Sequence, residues 1–279
     1  KVATPAGRAT PKSAILRISS SPKPQQRTLS GLRSRWITPT ACAAPSPSQI
    51  CISTARARGI STPALAQAAS CQPPRSIELP RPITPDGPAL RTPITGYTLA
   101  VSWSPEYCRG KAGGANDYQC GGQIGRFGFV LHGLWPEGRG KPPQWCALTP
   151  RPSAEELRGN LCMTPVPWLL EHEWAKHGSC MAATPGAYFR AEQALWGKLR
   201  LPDAAAISRQ GGLTAGDLRR AFAARNPGVP VAAIGLLTSN GGWLREVRLC
   251  YSARFTPTAC TARTFGPAAS TPLKIWRGD

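Results

Sequence analysis

The strongest constraint on this 279-residue chain is a break in its composition. Residues 1–75 carry eleven Lys or Arg and neither Asp nor Glu, and they are rich in Pro, Ser, Thr and Ala. Such a stretch cannot bury enough apolar surface to offset the entropy lost on ordering it. We therefore expect residues 1–94 to be a disordered, Pro-rich basic stretch, or one absent from the mature protein. Beyond residue 100 lie eight of the nine Trp, seven of the ten Cys and twelve of the fourteen acidic residues. Residues 95–279 are expected to form a single domain, large enough to have its own core.

The formal net charge is +20, and about half of it belongs to the N-terminal stretch; residues 76–279 keep 23 basic residues against 14 acidic ones. A basic domain suits a polyanionic partner, but solvated surfaces are often basic, so charge alone selects no function. Cysteine usage is more telling. Ten Cys in a loop-rich chain point to disulfides and an oxidising compartment, hence a secreted or periplasmic protein. No Cys-x-x-Cys pair occurs, which argues against a zinc ribbon or a thioredoxin-like site. No run of 18 apolar residues occurs, so no membrane span is expected. Residues 63–69 resemble a small-residue cleavage region, although Arg56, Arg58 and Gly59 interrupt the apolar stretch that should precede it.

The first clear strand is 97–103, where Tyr97, Leu99, Val101 and Trp103 alternate onto one face. A Gly-rich loop, 110–125, leads to a buried strand at 126–131 that runs into His132. Helices are predicted over 166–180, 187–199 and 214–225, the last opened by a capping box of Thr214 and Asp217. Strands at 231–237 and 244–251 flank a turn at Asn240-Gly241-Gly242, and 272–276 reads as a last short strand. Helices and strands mix without strict alternation. The expected fold class is α+β, a central mostly antiparallel sheet packed by helices.

Chemistry concentrates in two segments that hold all three histidines. The first is Phe129-Val130-Leu131-His132-Gly133-Leu134-Trp135-Pro136-Glu137. The second is His172-Glu173-Trp174-Ala175-Lys176-His177-Gly178-Ser179-Cys180. On a helix, His172 and Lys176 are one turn apart, as are Glu173 and His177, so both pairs share one broad face with Trp174 turned to the core. That face suits phosphoryl transfer: cations hold the anion, and an imidazole of near-neutral pKa moves a proton. Cleavage of RNA by its own 2′-hydroxyl needs a base at one end and an acid at the other, so a second histidine, His132, completes the set. A structural role for three histidines confined to two such segments is the weaker reading. Zinc hydrolysis is weaker still, because the helical histidines stand at i,i+5 rather than the i,i+4 of His-Glu-x-x-His.

Both segments resemble, along their full length, the signature segments of the ribonuclease T2 family. The resemblance extends to Trp103-Ser104-Pro105 with Cys108 and to Leu249-Cys250, and covers roughly residues 96–276. It implies a metal-independent endoribonuclease that cleaves single-stranded RNA through 2′,3′-cyclic phosphates, without cofactor or membrane, as a monomer. In that reading His177 is the base and His132 the acid, or the reverse. Glu173 and Lys176 stabilise the transition state, and His172 holds the substrate phosphate. Trp135 matches a base-stacking position, with core packing the equal alternative. Glu137 stands where some relatives have an Asp that contacts the base, and Ser179 replaces a commoner Thr. A binding protein keeping the motifs as relics would have lost one of His132, Glu173 or His177, and none is lost. A DNA-cleaving enzyme is disfavoured because it needs an acidic metal cluster.

Seven cysteines lie in the domain proper. Cys108 and Cys120 bracket the Gly-rich loop, and Cys250 and Cys260 flank the turn after a strand, so each is a natural pair. Pairing Cys146 with Cys180 would tether the catalytic helix to the loop after His132. Cys162 competes for Cys180 and is otherwise left over, with Cys71 as a further partner; Cys42 and Cys51 stay unassigned.

Overall fold

The computed structural model of the protein describes residues 71–111 and 117–278. The expectations for residues 1–70, including the cleavage region, Cys42 and Cys51, lie outside the described residues. The described chain is α+β. In order it forms β1 (Ile94–Trp103), α1 (Ser104–Cys108), α2 (Asp117–Cys120), β2 (Phe129–Gly138), α3 (Ala154–Gly159), α4 (Pro167–Lys176), α5 (Pro185–Trp196), α6 (Ala204–Ile207), α7 (Ala215–Arg225), β3 (Ile234–Thr238), β4 (Leu244–Ser252) and α8 (Ala262–Phe265). The four strands make one antiparallel sheet in the order β2-β1-β4-β3.

Alternation sets the sheet's two faces. Leu99, Val101 and Trp103 of β1 point into the core with Leu131 and Leu134 of β2, Val247 and Leu249 of β4, and Ile234 and Leu236 of β3. Helix α7 closes this face, and Phe222 meets Phe129 edge-on at 5.4 Å. Its capping box forms as the sequence predicts, with Thr214 and Asp217 exchanging hydrogen bonds. Burying this contiguous apolar face is the main drive to fold, at about 25 cal/mol for each Å² removed from water.

The outer edge of β2 is paired rather than open. Leu131 N–H donates to the Met163 carbonyl and Leu131 O accepts from the Thr164 hydroxyl. Leu134 N–H donates to Tyr188 and Glu192 of α5, and Tyr188 donates back to Leu134 O. An edge strand whose polar groups are already bonded is a poor template for pairing with another chain.

Four elements depart from the sequence reading. Strand β2 continues through residue 138 rather than ending before His132. The helix at 166–180 stops at Lys176, and Gly178–Cys180 forms a 3₁₀ turn that leads Cys180 towards Cys146. Residues 231–233 are a 3₁₀ turn ahead of β3. Residues 272–276 make only isolated bridges, Thr214 with Pro272 and Trp243 with Lys274, since a proline has no N–H to extend a ladder.

The disorder expected over 71–94 is also corrected. Cys71 is disulfide-bonded to Cys162, and Leu90 exchanges backbone hydrogen bonds with Gln144 at 2.8 and 3.0 Å. Pro80 O accepts from Arg151, which also pairs with the buried Glu171. This segment has no core of its own; it is ordered by bonds to the domain, which composition does not register.

Candidate active site

Glu173 is the centre of the site. It projects from α4 towards β2, is 3% exposed, and has a histidine on either side. His132 Nε2 lies 3.5 Å from one carboxylate oxygen and His177 Nε2 lies 3.9 Å from the other. The Trp135 indole donates to Glu173 Oε2 at 2.6 Å. Trp135 fills the space between the histidines, with ring centroids 5.2 Å from His132 and 5.5 Å from His177. This closeness requires the glycine of the first segment. A Cβ on Gly133 would stand 2.3 Å from Glu173 Oε2 and 2.9 Å from Trp135 Nε1. Gly178 does the same on the other side, where a Cβ would meet the rings of Tyr188 and Trp174 at 2.6 and 2.7 Å.

His132 owes its direction to an irregularity in the sheet. Leu131 pairs with Val101 and Gly133 with Ala100, so His132 is an extra residue without a partner on β1. In a regular strand His132 and Trp135, three residues apart, point to opposite faces. The bulge brings them to one face, the role bulges commonly have beside sites. Glu246, opposite Ser102 on β4, reaches the same face and bonds His132 Nδ1 at 2.7 Å. Arg248 in turn donates to Glu246 Oε1 at 2.7 Å and lies 5.5 Å over the Trp135 ring.

These surroundings drive the two histidines apart. For His132, burial favours the neutral ring, but the charge of Glu173 and the hydrogen bond and charge of Glu246 outweigh burial and the opposing Arg248; its pKa rises to about 9. The side chain remains 31% exposed, so the burial penalty is partial. For His177, burial and the nearby Lys176, His172 and His132 disfavour a proton and outweigh Asp86, and its pKa falls to about 3. At neutral pH one ring is cationic and the other neutral, the division of labour that acid–base catalysis needs. Burial raises Glu173 to about 6 against the pull of His132 and the Trp135 indole.

His172 and Lys176 form a second group beside the first. The broad helical face expected from the sequence divides, because neighbouring helical residues are turned by about 100°. His172 packs edge-on to Trp145 at 5.3 Å and faces Trp168 at 6.1 Å. Burial, then Lys176, lowers its pKa. Lys176 pairs with Asp86 at 2.7 Å and lies 5.5 Å over the Trp145 ring, while the Trp145 indole donates to Asp86. Trp145 has φ 55°, an uncommon conformation for a bulky residue, held by its N–H bond to Lys176 O. Cys146, next to it, is disulfide-bonded to Cys180, and Ser179 links Ala147 N–H to the end of α4.

Cys108–Cys120 and Cys250–Cys260 are the remaining disulfides among the described residues. Glu137 stands apart from the histidines. It accepts from the Thr98 hydroxyl at 2.7 Å and from Arg263 at 3.3 Å. A groove of about 530 Å³ opens beside His132 and Trp135, with Trp168 and Leu169 on one wall and Arg248 on another. Sequence reasoning missed Glu246, Arg248, Trp145 and Asp86. Only Glu246 carried a signal, as the acidic residue of an otherwise apolar and basic strand. No group of three or more His, Cys, Asp or Glu side chains that could hold a metal ion occurs among the described residues.

An α+β fold with two histidines flanking a buried glutamate defines the site, and comparison places the chain in a family. Residues 95–260 match the model of the ribonuclease T2 family, more than half of the chain, and the protein belongs to that family. A probable ribonuclease of Haemophilus influenzae is 37% identical over 130 residues, covering 42% of this chain and 47% of that protein. A ribonuclease of Aeromonas hydrophila is 44% identical over 85 residues, covering 30% and 36% respectively. The chain thus spans about half or less of the length of these relatives. Among solved structures, trichomaglin, described as an S-like ribonuclease, superposes with a TM-score of 0.54 at 19% identity, over 65% of this chain and 97% of that one. RNase NT, solved with 5′-AMP, gives 0.51 at 21% identity, over 66% and 98%. These likenesses show the fold.

Proposed function

We propose that this protein is a secreted or periplasmic endoribonuclease. It cleaves single-stranded RNA by transesterification without a metal or cofactor, acts as a monomer, and has its catalytic residues within 95–279. One observation carries the reading: Glu173 stands between two histidines whose protonation states are driven in opposite directions. His177, neutral, takes the proton of the 2′-hydroxyl as that oxygen bonds to phosphorus. The P–O5′ bond breaks, and protonated His132 delivers its proton to the departing oxygen. The products are a 2′,3′-cyclic phosphate and a 5′-hydroxyl, and water then opens the cyclic ester with the two roles exchanged. Lys176 and His172 hold the phosphate, with Lys176 exchanging Asp86 for it. Glu173 keeps both rings directed at the reacting centre. Trp135 supports a base by stacking, a contact worth about 1–3 kcal/mol, and Glu137 sits further along the same strand for a base edge. Four disulfides among the described residues support an oxidising compartment. No described helix is long and apolar enough to cross a membrane.

The test is product analysis after digestion of single-stranded RNA in excess EDTA. We expect 2′,3′-cyclic phosphate ends, full activity in chelator, and inert DNA and 2′-O-methyl RNA. Products with 5′-phosphates, or activity lost in chelator, overturn the reading.

A further inference from the structure

Beyond the groove at His132 the surface carries a row of cations, each lying over an aromatic ring. Lys111 Nζ lies 3.5 Å over the Tyr107 ring. The Arg109 guanidinium lies 4.2 Å from the Trp276 ring centroid and 5.0 Å from that of Trp243. Lys274 Nζ lies 5.5 Å over the other ring of this pair, Trp243, which meets Trp276 edge-on at 5.8 Å. Arg109 and Lys111 line the His132 groove and also a second groove of about 560 Å³, to which Arg126 and Arg277 contribute. The row is therefore continuous with the active site.

We propose that Arg109, Lys111 and Lys274 form a phosphate-binding row for the single-stranded RNA that extends on the 3′ side of the cut. The inference rests on the ribonuclease reading above and adds a substrate preference to it. Three observations support it. A guanidinium set over a ring engages the ring's face and leaves N–H donors for an anion. Among the described residues Arg109 is paired with one carboxylate, Glu106, 3.8 Å away, and both the Arg109 side chain (44% exposed) and its cationic neighbours face solvent. Direction follows from the site. His132 and Trp135 line the groove, whereas His172, Lys176 and His177 do not. The acid, His132, serves the departing 5′-oxygen, so the strand bearing that oxygen leaves the centre along this groove.

Bracing the C-terminal segment is the competing role for these contacts, and hydrogen bonds to its main-chain carbonyls already perform it. The Trp103 indole donates to Trp276 O at 2.6 Å, and Leu244 N–H donates to Lys274 O at 2.8 Å.

The experiment uses DNA strands with a single ribonucleotide, so that only one linkage is scissile: a dinucleotide, one extended by four deoxynucleotides on the 3′ side, and one extended equally on the 5′ side. For the unaltered protein we expect kcat/KM to rise about tenfold on 3′ extension, a gain typical of a few added strand contacts, and much less on 5′ extension. The double variant Arg109→Gln, Lys274→Gln should lose the 3′ gain and keep dinucleotide turnover. Its salt dependence on the 3′-extended strand should fall by about 0.7 in logarithmic slope for each cation removed. The proposal is overturned by equal gains on both sides, by a variant that keeps the 3′ gain, or by one that loses dinucleotide turnover in parallel. Failure of the unaltered protein to cleave the dinucleotide would instead strike the ribonuclease reading.

Discussion

His132 and Glu246 meet at 2.7 Å, Nδ1 to Oε2, although 114 residues separate them. The contact joins the bulge of β2 to the neighbour-but-one strand β4, across β1. It directs Nδ1–H to the carboxylate and leaves Nε2 facing Glu173 and the space for substrate. The carboxylate is itself held in its ionised form: burial opposes ionisation, but the His132 hydrogen bond and the charges of His132 and Arg248 overcome it.

Replacing Glu246 should therefore weaken His132 as the proposed acid without removing it. In Glu246→Gln the His132 pKa, now about 9, should fall, and the alkaline limb of the pH–rate profile should move to lower pH. In Glu246→Ala the ring also loses its orientation, and kcat should drop about 10–100-fold, part of the 10²–10⁴ that an acid contributes. A full pH–rate profile for both variants measures this. An alkaline limb that stays in place in Glu246→Gln would refute the link.

The two histidines predict a bell-shaped profile with unequal variants around it. His132→Ala and His177→Ala should each lose about 10²–10⁴ in kcat. His172→Ala, outside the Glu173 group, should raise KM more than it lowers kcat. Wild-type turnover in His132→Ala would defeat the two-histidine mechanism.

Gly133→Ala tests the packing that holds the site together. The new Cβ would overlap the Glu173 carboxylate, so strand and helix must separate. We expect a loss of about 1–3 kcal/mol, the cost of overpacking, together with a fall in kcat. Thermal unfolding alongside steady-state kinetics would show both; an unchanged variant would mean that Glu173 moves aside freely.

Glu192 predicts a pH dependence of stability. It is buried beside Tyr188, and burial, aided by the charge of Glu173, raises its pKa to about 8. The folded protein therefore keeps its proton where the unfolded chain, with an ordinary carboxyl near 4.5, has lost it. This contribution is full below about pH 4.5 and is lost as pH rises towards 8. Denaturant melts should show stability falling across that window, and Glu192→Gln should flatten the fall while keeping the bond from Leu134 N–H. An equal slope in the Gln variant would assign the titration elsewhere.

Cys146–Cys180 closes a separation of 34 residues. In the chain-entropy model such a bond stabilises by about 3–4 kcal/mol. The Cys146→Ser, Cys180→Ser protein should lose a similar amount in denaturant melts. It should also bind substrate less well, because Trp145 and Lys176 are next to the bridge.

Local pattern made much of this protein legible. Alternation at 97–103 located β1 and its buried face, and the capping box at Thr214 and Asp217 located α7. Helical spacing put Glu173 and His177 one turn apart. The spacing of Cys108 and Cys120, and of Cys250 and Cys260, matches bonds in the structure. The departures arose where order comes from a distant partner. Residues 71–94 read as disordered because they have no core, and they are held by Cys162, Gln144 and Arg151. The expected strand at 272–276 makes only isolated bridges, because Pro272 has no N–H to extend them into a ladder.

The sequence by itself determined the chemistry available: three histidines in two segments, the glutamate and lysine at helical spacing, and the apolar periodicities that fold the sheet and helices around them. Those signals are local, because dihedral preference and side-chain period act over a few residues. Tertiary structure alone decided which histidine is driven towards its protonated form and which towards its neutral one. It does so by placing His132 on a bulge against Glu246 and Glu173, and by burying His177 near Lys176 and His172. A pKa follows from burial and from charges within a few ångströms, and those neighbours come from strands and helices far apart in the chain.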